Sequence, residues 1–415
     1  MATPVRGRGS RYCCTMSTLS YQTAGESHGP ALVTIVSGLP AGVEVDVEFI
    51  NGELSRRQGG YGRGGRQRIE TDTVEVLSGV RLGRTIGSPV CLKIANKDSR
   101  LDDKAKTPPV YTPRPGHADL AGSVKYLTTD CRETLERASA RETAARVAAG
   151  ALARCMLRPV GIEVFGFVRS ILDAVWDGPV NESNWRTLTA LRDSSDTYTP
   201  DGADGPITER QRAIIRQAKI DKDTVGGLVE AHVFGCPPGL GSTMNWFERL
   251  DGRLAAAVMG IQAFKAVEIG LGKDAAFLPG SRVHDPIRFD AGRIDTPCLG
   301  FTRDTNNAGG TEGGMTNGAP VVVRGTMKPI STLLRGMPSV DLNTKQAATS
   351  AYERSDICAV SAASVVMENV VAFEIATAFR AKFGGDSMEE VRGQYDRFLT
   401  LARMLPLHPP EQSRA

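Results

Sequence analysis

The sequence predicts an α+β fold in a single large domain. Three observations carry this. Strand-like and helix-like segments come in blocks rather than in strict alternation, which argues against a doubly wound parallel sheet. No linker and no short-period repeat divides the 415 residues, although roughly 100–200 residues per domain leaves room for two or three units. Hydrophobic residues are 41% and charged residues 23%, the balance of a folded globular chain rather than a disordered one.

The elements follow in order. Residues 31–37 (ALVTIVS), 74–80 (VEVLSGV) and 88–95 read as strands. Between the first two, residues 47–57 read as a short helix running into QGGYGRGGRQR at 58–68, too glycine-rich for regular structure. Residues 97–116, with four prolines, read as an irregular excursion. Residues 136–157 give the clearest helix, with Ser139 and Glu142 spaced as a capping box that starts it at Ser139. Its face at 145, 148, 149 and 152, alanine at the first three places and leucine at the last, allows close packing. Residues 180–206 read as loop, 208–220 as a charged amphipathic helix, 226–235 as a strand and 251–264 as an Ala-rich helix. A glycine loop at 304–318 precedes a strand at 320–327. An apolar helix, 364–383, stops at Gly384-Gly385, and Asp386 and Glu389 cap a last helix to about Leu405.

Composition excludes several classes. Fifty Lys and Arg against 47 Asp and Glu give a net charge of +3, too small to make nucleic acid the default partner. No apolar run reaches the roughly 18–20 residues that span a bilayer; the richest, residues 364–381, is broken by Glu368 and Glu374. Eight scattered cysteines form no CxxC, which argues against a zinc ribbon or a secreted disulfide framework and for reduced thiols in a cytoplasm. Residues 1–16 are basic, without an acid or an apolar stretch. They read as a disordered tail, or as sequence upstream of a working start at Met16, with a transit-peptide fragment as the alternative. Residues 17–405 then form the domain and 406–415 a C-terminal tail.

Glycine motifs for a dinucleotide or a P-loop are absent, as is any clustered His/Cys set for a metal. Anion-binding features are present instead. Arg56, Arg57, Arg63, Arg66 and Arg68 lie among five glycines. Arginine offers planar paired donors to carboxylate or phosphate. A small anionic ligand, RNA and a plain solvated loop stand level on composition alone. His28, in Gly25-Glu-Ser-His-Gly29, and His117, in Arg114-Pro-Gly-His-Ala-Asp119, occupy tight glycine settings suited to proton transfer, or are merely structural. The loop Asn306–Gly318 and Lys328-Pro-Ile-Ser-Thr332 combine backbone N–H groups, a lysine and hydroxyls, as phosphate requires. Together they describe a rigid pocket for several anions.

These motifs occur in order with Arg137-Ala-Ser139-Ala-Arg-Glu142, Gly260-Ile-Gln262-Ala263, Asn307-Ala-Gly-Gly310, Glu312-Gly-Gly-Met-Thr-Asn-Gly318 and Arg354-Ser-Asp356. In this the chain resembles the chorismate synthase family over roughly residues 19–390. The resemblance implies helices sandwiched between mostly antiparallel sheets, a homotetramer, and conversion of 5-enolpyruvylshikimate 3-phosphate to chorismate and phosphate. That reaction is an anti 1,4-elimination needing reduced FMN, with no net redox change. The resemblance also implies roles. His28 protonates or hydrogen-bonds the departing phosphate, His117 protonates the reduced flavin near N1, and Asp356 assists flavin N5 in taking the C6 proton. Arg57 and Arg63 hold substrate anions, or NADPH in members that reduce their own flavin. Arg137, Ala138, Ser139, Gln262, Ala263, Gly313, Lys328, Pro329, Ile330, Ser331, Thr332 and Arg354 contact FMN. With no added reductase domain in view, an external flavin reductase is expected, with no nucleic-acid or membrane partner. The last motif departs from the most familiar version, Arg-His-Asp-Pro-Cys with a further Arg three residues on. Here Ser355 and Ser361 stand at those two places.

Overall fold

The computed structural model describes residues 19–65, 70–350, 352, 353 and 355–408. The tail expected at 1–16, residues 409–415 and Arg354 lie outside the described residues.

Two antiparallel sheets flank a layer of helices. The first has the strand order Ser20–Ala24, Ala31–Ser37, Val90–Ala95, Glu75–Ser78. The second runs Phe264–Ile269, Val321–Met327, Gly227–Phe234, Glu163–Ile171, Ala174–Val175. Between them pack the helices Val47–Gln58, Thr143–Leu157 and Val360–Phe383. Small residues set this spacing. A Cβ on Gly150 would stand 2.2 Å from the Asn369 carbonyl oxygen, and one on Gly166 would stand 2.6 Å from the Glu368 Cβ. The helix Thr143–Leu157 and the strand Glu163–Ile171 therefore both approach Val360–Phe383 at distances that only glycine permits at these points.

The helix Val360–Phe383 is long and apolar enough by composition to cross a bilayer, yet it is almost wholly buried between the sheets. Its polar residues explain that placement. Glu368, 1% exposed, accepts Arg56 (3.0 Å), Arg154 (3.2 Å) and Arg192 (3.3 Å). Glu53 joins the network through Arg154 (2.9 Å) and Asn369 Nδ2 (2.8 Å). Burial works to raise the Glu53 carboxyl, but Arg56 and Arg154 outweigh it and hold it far below its ordinary range. This network anchors the C-terminal end of the helix Val47–Gln58, from which Arg57 projects.

Several elements differ from the sequence reading. The helix expected from Ser139 is split: Arg132–Ala138 is one helix, a 3₁₀ turn covers Ala140–Glu142, and the long helix begins at Thr143. Ser139 Oγ caps Arg141 N at 3.3 Å instead of closing a box with Glu142. Glu142 is drawn away by Thr23 Oγ1 (2.6 Å), Arg146 Nε (2.9 Å) and Gln262 Nε2 (3.0 Å), so tertiary partners outcompete the local cap. The last helix, Met388–Arg403, carries its box one residue later, on Ser387 and Glu390. The stretch expected as loop contains the helix Trp185–Ser194. Phe264, expected to end a helix, starts a strand.

Candidate active site

A cleft of about 560 Å³ opens beside the helix layer. Seven segments distant in sequence build its walls: the loops after the first strand and after the helix Val47–Gln58, the irregular excursion with its glycine turn at Gly116, the stretch from Leu135 to Thr143, the turn at 260–263, the segment Met327–Thr332, and residues 353–366. Of the residues expected at a site, His28, Arg57, Arg63, His117, Ala138, Ser139, Gln262, Ala263, Lys328, Ile330, Ser331, Thr332 and Asp356 line it. Arg137 turns away, donating to the Thr23 and Gly25 carbonyls at 2.9 and 3.3 Å. Gly313 sits in the turn of a separate small hairpin, and Pro329 is exposed; neither lines this cleft.

His28 is 9% exposed. Its Nδ1 meets Glu136 Oε1 at 2.9 Å, and its backbone N–H donates to Glu136 Oε2 at 2.9 Å. Arg100 Nη2 lies 3.4 Å from its Nε2. Burial works to raise Glu136, but the hydrogen bonds and charge of His28, with Arg132 behind, hold it below its ordinary range. His117 has a similar setting. Its Nδ1 contacts Asp119 Oδ1, and Arg114 clasps the same carboxylate through Nε (2.8 Å) and Nη2 (3.0 Å). Arg114 Nη1 also reaches Thr332 Oγ1 at 3.0 Å, tying the His117 loop to the Lys328–Thr332 segment. Asp119 is fully buried, and His117 and Arg114 overcome that burial to hold its carboxyl far below the usual carboxylate range.

Six Arg and Lys side chains line the cleft against three carboxylates. Arg57 is packed against Thr143 Oγ1 (2.9 Å) and Asp72 Oδ2 (3.3 Å). Burial pushes its guanidinium down to about 9, Asp72 opposes this, and Arg141 and Arg63 add to it. Such crowding of cations favours an anion between them. Arg141 shares Asp72 with Arg57, yet among the described residues its buried Nη2 has no hydrogen-bond partner, and neither has Arg63 Nε. Lys328 Nζ donates to the Gly116 carbonyl at 2.8 Å, with burial and Lys265 lowering it. Gly116 has φ +77, and a Cβ there would stand 3.3 Å from Lys328 Nζ, so glycine keeps this corner open. Asp356 accepts Gly64 N at 2.6 Å and Arg63 Nη1 at 2.7 Å.

The remaining wall is apolar and small: Ile261, Met327, Ala359, Ala362, Ala363 and Val366. A flat ring fits such a surface while its anionic groups meet the cations, and FMN has this chemistry. Lys328, Ser331 and Thr332 offer phosphate donors. Gln262 Oε1, buried and without a hydrogen-bond partner among the described residues, offers an acceptor to an N–H of a ring edge.

Sequence reasoning missed Glu136, Arg132, Asp98, Arg100, Asp72 and the role of Arg141. Arg114 and Asp119 were in view as motif letters, but their pairing with His117 was not read. Glu136 lies 108 residues from His28, and no local pattern links them.

The comparisons agree on one family. The chorismate synthase family model matches residues 19–379. A chorismate synthase of Geobacter metallireducens is 51% identical over 400 residues, covering 93% of this chain and 99% of the relative. One from Thermoanaerobacter pseudethanolicus is 49% identical over 385 residues, covering 93% and 99%. A chorismate synthase crystal structure superposes with a TM-score of 0.74 at 39% identity, over 93% of this chain and 98% of that one. Helices between antiparallel sheets, the arginine-rich cleft and these matches lead to one conclusion: the chain belongs to the chorismate synthase family.

Proposed function

We propose that this cleft takes 5-enolpyruvylshikimate 3-phosphate and eliminates its phosphate in an anti 1,4 sense to give chorismate, with reduced FMN bound beside it. The observation that carries this is the excess of six cations over three carboxylates in a cleft with one small-residue apolar wall. The substrate brings one phosphate and two carboxylates, and the cofactor brings another phosphate. Reduced flavin, when bound, supplies electron density to the elimination and leaves no net redox change.

Arg57 and Arg63 hold substrate anions. His28 presents its ring to the departing phosphate, and His117 holds a proton at its ring. Asp356 takes up the proton that leaves substrate carbon, at a carboxylate oxygen held by Gly64 N and Arg63. Ala138, Ser139, Gln262, Ala263, Lys328, Ile330, Ser331 and Thr332 hold the cofactor, with Arg137, Gly313, Pro329 and Arg354 assigned to the same task by the family motif. An external reductase, drawing on NADPH, supplies the reduced flavin, in the cytoplasm. Assembly into a homotetramer is supported by large apolar side chains at the surface, such as Met244, Trp246 and Phe277, each 82% exposed.

The experiment is phosphate release under anaerobic conditions with reduced and with oxidised FMN. Release is expected only with reduced FMN. Equal release with oxidised FMN would overturn the reading.

A further inference from the structure

We propose that Glu136 is a positioning residue for His28, fixing which ring nitrogen exchanges a proton with the cleft. This rests on the role of His28 proposed above. One carboxylate holds His28 at two places. Glu136 Oε2 accepts the His28 backbone N–H at 2.9 Å, and Glu136 Oε1 and Oε2 stand 2.9 and 3.1 Å from Nδ1. Backbone and ring orientation are therefore set by the same group, itself 2% exposed.

The hydrogen-bonded contacts on the ring assign one tautomer, with Asp98 Oδ2 farther off, 3.7 Å from Nε2. An ionised carboxylate only accepts, so Nδ1 must carry the proton. A guanidinium only donates, so Arg100 Nη2, 3.4 Å from Nε2, meets a lone pair there when the ring is neutral. Nε2, beside Arg100 and Asp98 on the cleft wall, is then the nitrogen that gains and loses a proton. Glu136 does not move when this happens, because Arg132 braces it. Arg132 Nη1 lies 3.4 Å from Glu136 Oε1, its Nε donates to the Pro108 carbonyl at 3.1 Å, and its Nη2 donates to Glu353 Oε1 at 2.7 Å. An Arg–carboxylate–His arrangement thus backs His28, as Arg114 and Asp119 back His117. A glutamine at 136 could turn its NH₂ toward Nδ1 and favour the opposite tautomer, with its size unchanged.

The test is a double-mutant cycle on the full-length protein with Glu136→Gln and His28→Ala, reading turnover, substrate KM and FMN affinity by flavin fluorescence titration. Glu136→Gln is expected to lower turnover by about 10-fold or more, with the roughly 10⁴-fold cost of a tautomer-fixing carboxylate in a catalytic triad as the upper bound, while KM and FMN affinity stay within about three-fold. In the His28→Ala background it should cost less than about two-fold, since its effect passes through the missing ring. Glu136→Asp, which keeps the carboxylate, should recover part of the loss. Native turnover in Glu136→Gln overturns the proposal, as does an equal loss with and without His28. If Glu136→Gln loses its thermal transition, Glu136→Asp replaces it in the cycle and must slow the native chain but not His28→Ala. Native turnover in His28→Ala would instead remove the role of His28 itself, and with it this one.

Discussion

Gly60 and Ser361 stand so close that a Cβ on Gly60 would lie 2.7 Å from the Ser361 Cβ. Gly60 has φ +109, and Ser361 is 1% exposed with its Oγ donating to the Thr197 carbonyl at 3.1 Å. This contact seats the glycine loop that carries Arg63 on the start of the helix Val360–Phe383. Ser361 is buried against this loop, so a longer charged side chain at 361 would press into it. Ser361→Arg would bury a charge against the loop. A loss of about 3 kcal/mol or more is expected, since an unpaired buried charge costs that much. Denaturant unfolding measures it, and an unchanged midpoint would show that the loop opens freely here.

His117→Ala should lower turnover by about 10²–10⁴, the range for a lost general acid. The fold should survive, because Arg114 still pairs with the buried Asp119 through Nε and Nη2. Substrate KM should change little and the thermal midpoint by only a degree or two. Normal turnover would make His117 part of the Arg114–Asp119 scaffold and nothing more.

Stability should fall steeply on the acid side. Asp119, Glu53, Glu136 and Glu230 are all held below their ordinary values despite burial. A carboxyl depressed in the folded state contributes stability that is complete above its unfolded value and is lost as pH falls toward the folded one. The reference values are 3.8 for Asp and 4.5 for Glu. The thermal midpoint should therefore change little on account of these groups down to about pH 5 and drop below it. Glu230→Gln, removing one member on the second sheet, should lower the midpoint at pH 7 and make its acid-side decline shallower. A parallel shift of the whole curve would refute the linkage.

What could be read in the sequence follows from what kind of burial each segment has. The helix Val47–Gln58 and the strand Ala31–Ser37 were legible because one face is buried and the other is not. The strand Glu163–Ile171 was not, because nearly all of it is buried on both faces and no alternation survives. Gly166 within it reads as a breaker, yet it is there to admit Glu368. The site was legible where its residues sit in short motifs. The Arg114–Asp119 turn is one, since its three interacting side chains lie within six residues. It was opaque where a carboxylate reaches a distant ring, as Glu136 does, or where one aspartate, Asp72, serves both Arg57 and Arg141. Such pairings arise only when the helices dock.

Asp356 carries the last prediction. Among the described residues, which do not include Arg354, the cation against its carboxylate is Arg63, at 2.7 Å, with Gly64 N at 2.6 Å on the other oxygen. Asp356 is thus both a clamp on the glycine loop and the group proposed to take up the substrate proton. Asp356→Asn separates these roles in part. The amide oxygen can still accept from Gly64 N, while the NH₂ now faces the Arg63 donor, so one loop contact is kept and one lost. Basicity is removed outright. Turnover should fall about 10²-fold or more, with FMN affinity retained because the Lys328–Thr332 segment and Gln262 lie apart from this contact. Arg63→Ala supplies the control. It breaks the same ion pair but leaves the carboxylate, so it should weaken substrate binding more than it slows the bound complex. If the two variants have the same effect on KM and on turnover, the ion pair alone matters and Asp356 takes up no proton. If Asp356→Asn slows turnover while Arg63→Ala mainly raises KM, the carboxylate does chemistry that its contact with Arg63 does not explain.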